Sequence, residues 1–161
     1  MRTFSVVVGM ALAAAALVAP PGHAVSADSA TEYSLGVWRI CAGALLFDHA
    51  HEMGTRADAL AVARDIRAST AGRLARVTAL VVPSELQPIS SRWISSQRRL
   101  AASYARTWVR IHDTIDAART RAQRATLAQR LVRLMHAPDR LRLAAGQLEL
   151  ELHVPDCTGG G

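Results

Sequence analysis

Apolar residues recur along this chain at alternating spacings of four and three, in four separate stretches, and no stretch alternates with period two. Such spacing draws a stripe down one side of an α-helix. A helix striped in this way has to bury its stripe against another element. The first stretch carries Tyr33, Val37, Ile40, Ala44, Phe47 and His51, flanked by Cys41 and Leu45, and stops at Gly54. The second carries Ala59, Ala63, Ile66, Thr70, Leu74, Val77 and Val81, widened by Val62 and Leu80, and runs up to Pro83. Proline cannot continue the hydrogen-bond ladder of a helix.

The third stretch opens at Ser84, with Gln87 three residues on as its capping-box partner and Pro88 inside the first turn. Its stripe is Trp93, Gln97, Leu100, Tyr104, Trp108, Ile111 and Ile115. The fourth carries Leu127, Leu131, Leu134, Leu141, Ala145, Leu148 and Leu152. Pro138 occupies its missing stripe position, which predicts a kink or break around His136-Ala137-Pro138. No Gly or Pro separates the third stretch from the fourth. An unbroken helix over 88–136 would be about 73 Å long at 1.5 Å per residue, too long for one small core. A turn is therefore expected within 112–121, with Asp113 or Asp116 as the cap of the fourth helix. Short connections favour antiparallel neighbours. The expected fold is all-α, an up-down-up-down four-helix bundle. A length of 161 residues suits one helical core, and an aromatic content of 4% argues against a β-sandwich.

The segment 1–27 reads as a secretory signal peptide. Arg2 precedes an apolar run from Phe4 to Ala19, then Pro20-Pro21-Gly22, then small-x-Ala patterns ending at Ala24 and Ala27. The competing reading, a membrane anchor, needs about 20 apolar residues, more than this run supplies. The domain plan is thus a signal peptide over 1–27, cleaved after Ala24 or Ala27, a bundle over 28–157 and a Gly-rich tail over 158–161. With no twin-Arg pair before the apolar run, export follows the Sec route, to the periplasm, cell envelope or medium. Cys41 and Cys157 are the only cysteines. In an oxidising compartment two thiols pair, and an up-and-down bundle brings the start of helix one and the end of helix four to the same end. The expected disulfide joins helix one to the tail.

Ile40-Cys41 in the first helix, Pro83-Ser84-Glu85-Leu86 entering the third, Trp93, and the terminal Val154-Pro155-Asp156-Cys157 together resemble a group of small exported helical proteins from Arg- and Ala-rich bacterial proteomes. The resemblance implies this fold and this bridge, and implies no activity.

No GxSxG, HExxH, SxxK, P-loop, Gly-rich dinucleotide turn or CxxCH stands in the sequence. No catalytic residue and no cofactor is therefore assigned. His51 and His112, placed towards one end of the bundle by the expected topology, are the candidate metal ligands, against the plainer reading of a polar helix end. The strongest signal is arginine. All 19 basic residues are Arg. From Arg92 to Arg142, 12 Arg stand against Asp113, Asp116 and Asp139, a net charge of +9, whereas residues 31–82 carry six Arg and five acids, net +1. Arg99, Arg106, Arg110 and Arg124 are the candidate anion-binding residues on helices three and four. The functional expectation is an exported, non-enzymatic helical protein that binds an anionic envelope polymer, a membrane surface or an acidic protein, with nucleic acid not expected. A metal- or small-ligand-binding bundle is the alternative, and a small all-α enzyme a third. A solvated basic face remains the plainest account of the same charges.

Overall fold

The computed structural model describes residues 27–42, 54–154 and 157. Residues 1–26, Ala44, Phe47 and His51 of the first stripe, and the terminal glycines lie outside the described residues. Six helical segments follow in order: α1 Ala27–Ala42, α2 Arg56–Thr78, α3 Gln87–Ala117, α4 Arg121–Ala125, α5 Leu127–Met135 and α6 Asp139–Glu151. Among the described residues the chain is all-helical, as the spacing predicts.

α3 is the central element and packs against α2, α5 and α6, while α1 lies on α2. Arg56 at the start of α2 donates from Nε to Oδ1 of Asp113 near the end of α3, at 3.0 Å, so these two helices run antiparallel. The core forms two clusters. One gathers Tyr33, Val37 and Cys41 of α1, Leu74 and Val77 of α2, Trp93 of α3, Leu148 of α6, and Leu152, Val154 and Cys157 of the tail. The other holds Val62, Ala63, Ile66, Ala101 and Ala105, with Tyr104, Trp108 and Val109 against it. The expected disulfide is present: Cys41 and Cys157 are bonded, with 5.2 Å between their Cα atoms and a sequence separation of 116.

Several local expectations are corrected. α2 ends at Thr78, well before Pro83. Leu80 turns aside to lie against Gly36 of α1, where a Cβ would come within 3.0 Å of its Cδ1. Val81, expected in the stripe, is 91% exposed. Ser84 caps nothing: its hydroxyl meets Glu85, and α3 begins after Leu86 with Pro88 in its first turn. The real capping boxes stand elsewhere. Thr55 Oγ1 accepts from the Asp58 amide while Asp58 Oδ2 accepts from the Thr55 amide, opening α2. Thr120 and Gln123 do the same for α4. Thr120, not Asp113 or Asp116, therefore caps the segment after the turn at 118–120. Each such cap is worth about 1 kcal/mol.

The fourth stretch is three segments rather than one kinked helix. Thr126 ends α4. Pro138 divides α5 from α6 at the expected place, with its ring fully buried. Leu127, Leu131 and Leu134 are only half-buried, and α5 holds no fully buried residue. α6 ends in a Schellman turn: the Val154 amide donates to the Glu149 carbonyl and the His153 amide to that of Leu150. His153 holds the left-handed position, with φ 52°. This turn directs Val154 into the core, on the path to Cys157.

Candidate anion-binding groove

Ala63 on α2 and Ala105 on α3 are both buried. Two small side chains at a crossing let the helix backbones come close, and the longer residues flanking them then rise as walls. The result is a groove of about 280 Å³ between α2 and α3. Its floor and lower walls are Leu60, Ala63, Ala105 and Val109, and its rims are Arg64, Arg67, Arg106 and Arg110. The spacings produce this directly. Leu60, Arg64 and Arg67 follow one another up one side of α2, and Arg106 and Arg110 stand four apart on α3.

Among the described residues, no acidic side chain lines the groove. None of its four guanidinium groups has a hydrogen bond or ion pair with a described residue. Other arginines are engaged. Arg56 meets Asp113, Arg119 lies 3.9 Å from Asp116, and Arg73 reaches the Cys157 carbonyl and the Thr70 hydroxyl. Four cations around one concavity that no described acidic residue lines concentrate positive potential there. Guanidinium groups bind phosphate and carboxylate oxygens in paired hydrogen bonds.

The structure separates the four arginines singled out in the sequence. Arg106 and Arg110 line this groove. Arg99 lies in a different one, of about 440 Å³ between α3 and α6, with Arg92, Ser95, Gln147, Leu148 and Glu151. Arg124 is exposed on α4. Sequence charge misses Arg64 and Arg67, because the sum over residues 31–82 nearly cancels. Their signal is positional: both flank the Ala59–Ala63–Ile66 stripe on one side. His112 is half-buried, with Nδ1 buried, lacking a hydrogen bond to any described residue, and 3.7 Å from Asp113 Oδ1. That carboxylate is engaged by Arg56. His51 is outside the described residues. Among the described residues no group of three His, Cys, Asp or Glu side chains is arranged to hold a metal ion.

No protein-family model, curated protein or solved structure matches this chain.

Beneath the disulfide end lies a second polar feature that sequence spacing did not reveal. Glu149 of α6 is 3% exposed. Its Oε1 accepts from Trp93 Nε1 at 3.3 Å and from Gln97 Nε2 at 2.9 Å. Burial pulls the Arg73 guanidinium below its ordinary pKa, and Glu149 opposes that shift. Nearby, the Tyr33 hydroxyl and Ser90 Oγ share a hydrogen bond of 2.5 Å, and Ser34 Oγ donates to the Leu152 carbonyl at 2.6 Å. These bonds join α1, α3, α6 and the tail. With Glu149 closed off from solvent, they act as structural pins.

Proposed function

We propose that this protein is exported by the Sec route, works in the periplasm, cell envelope or medium, and binds an anionic envelope component without catalysing a reaction. Four arginines around one groove, with no described acidic partner, carry this reading. The signal-like segment 1–27 favours export, and a long-range disulfide suits an oxidising compartment. No described helix is long and apolar enough to cross a membrane. The architecture we infer is an up-and-down bundle in which α4, α5 and α6 together take the place of a fourth helix. The groove between α3 and α6, lined by Arg92, Arg99 and Glu151, favours a second reading, a small ligand carrying both charges.

Co-sedimentation with anionic vesicles and with insoluble phosphate-bearing wall material, across a salt series, tests the proposal. Changing Arg64, Arg67, Arg106 and Arg110 together to Gln is expected to remove most binding and flatten its salt dependence. Arg99→Gln with Arg124→Gln is the control and is expected to retain binding. Loss of binding in the control alone would move the site off the groove.

A further inference from the structure

We infer that the groove between α2 and α3 takes a linear polyol-phosphate chain, with at least three phosphates in series, rather than a single anion. The inference rests on the anion-binding reading above and specifies its ligand. The Arg56–Asp113 bond ties the start of α2 to the end of α3, and counting from it gives an approximate register for the two antiparallel helices. Moving inward from that pair, one residue up α2 matches one residue back along α3. Arg64 then stands level with Ala105, and so with Arg106, its neighbour. Arg67 stands level with Ala102, and Arg110 lies four residues beyond Arg106 in the opposite direction. The four cations thus form a facing pair in the middle and one outpost towards each end. At 1.5 Å per residue the outposts are about 12 Å apart along the helix axis.

Such a row matches charges about 6 Å apart. A single phosphate reaches the middle pair and leaves both outposts unused. Inorganic polyphosphate, whose phosphates share bridging oxygens, packs its charges more closely. A chain of phosphodiesters separated by short carbon spacers fits better. The surface between the cations supports this: Leu60, Ala63, Ala105 and Val109 are apolar and suit the carbon spacers. Nucleic acid has the same phosphodiester linkage, but sequence-tolerant binding of single strands uses aromatic platforms for the bases. Among the described residues, no aromatic side chain lines this groove.

Titration of the full-length exported protein with glycerol-phosphate oligomers of increasing length tests the inference. Oligothymidylates and inorganic polyphosphate of matched phosphate number serve as parallel arms. Affinity of the glycerol series is expected to rise roughly fivefold per phosphate, the upper range for one exposed ion pair, and to level off after the third. Arg67→Gln or Arg110→Gln should erase the gain from the third phosphate and spare the two-phosphate ligand. Arg64→Gln with Arg106→Gln should weaken every length. Affinity independent of length, or climbing steadily past six phosphates in the wild type, would overturn the three-point fit while leaving an anion-binding surface. Tighter binding of oligothymidylate or polyphosphate at equal length would overturn the polyol assignment. If no probe binds at low salt, the parent reading falls as well. The length series uses the wild-type chain, so it stands even if a variant folds poorly.

Discussion

The two halves of this molecule bury their helices by opposite means. At the disulfide end, large side chains from α1, α2, α3, α6 and the tail converge. Trp93 is 1% exposed there, a buried Glu149 is hydrogen-bonded to it, and a covalent bridge closes the cluster. In the other half, α2 and α3 meet through Ala63, Ala101 and Ala105. Small side chains bring backbones together but leave nothing to fill the flank, and a groove remains. The closed half supplies stability, and the half built from alanines has the groove rimmed by four arginines. A small chain can separate the two roles in this way, because packing volume and an accessible site compete for the same surface.

The largest expected effects lie in the closed half. Replacing Cys41 and Cys157 by Ser should cost about 4–5 kcal/mol at most, since a long loop is released into the unfolded state. Trp93→Ala should cost about 3–5 kcal/mol, with the hydrogen bond to Glu149 lost in addition. Denaturant unfolding of both variants checks this. If either matches the wild type, the disulfide end is not where stability resides.

A second test addresses the alanine seam. Ala105→Leu forces a larger side chain into a site that is 0% exposed and should cost about 1–3 kcal/mol through overpacking. It should also pry α2 from α3 and weaken anion binding, whereas Trp93→Ala should spare binding in whatever fraction stays folded. Equal losses of binding in both would show that the halves are not separable.

The two tyrosines offer a pH comparison. Burial raises Tyr33 above the ordinary value of 10.0, with the Ser90 hydrogen bond opposing, and burial likewise raises Tyr104. A raised folded-state pKa means that the unfolded chain releases its proton first. The stability associated with the neutral phenols is therefore complete below about pH 10 and declines as pH climbs through the folded values. Absorbance titration should show both tyrosines ionising late. Tyr33→Phe should make stability less sensitive to pH above 10; an unchanged alkaline profile would remove Tyr33 as a contributor.

The smallest effect is a gain. His153 occupies a left-handed conformation at the end of α6, where a residue with a Cβ is disfavoured and Gly is the usual choice. His153→Gly should raise stability by about 1 kcal/mol or less, with binding unchanged. A loss of stability would mean that the imidazole itself holds the turn.

Most helix positions were legible because a stripe at spacings of three and four leaves few other ways to be buried. Tyr33, Val37, Ile66, Leu74, Trp93, Leu100 and Leu148 are buried as that pattern predicts. The Pro138 break was legible for a similar reason, since a ring without an N–H interrupts a helix wherever the chain folds. Helix ends were less so. Ser84 and Thr55 are both plausible caps as letters, and only the course of the backbone makes Thr55 a cap of α2 and leaves Ser84 short of α3. The short helices also escaped, because Leu127, Leu131 and Leu134 satisfy the spacing rule whether the surface they meet is deep or shallow.

Local periodicity and chain chemistry alone determined the helical class, the main breaks and the pairing of two lone cysteines. These follow from interactions within a few residues, or from having a single partner available. The tertiary structure decided which charges act together. Arg64 and Arg67 are far along the chain from Arg106 and Arg110, and a net charge of +1 over residues 31–82 concealed them. Their position in one groove depends on how α2 packs against α3 across the alanine seam, with the Arg56–Asp113 contact at one end. Electrostatic potential depends on distance through space, so the position of charges along the chain could not show the site until the helices were packed.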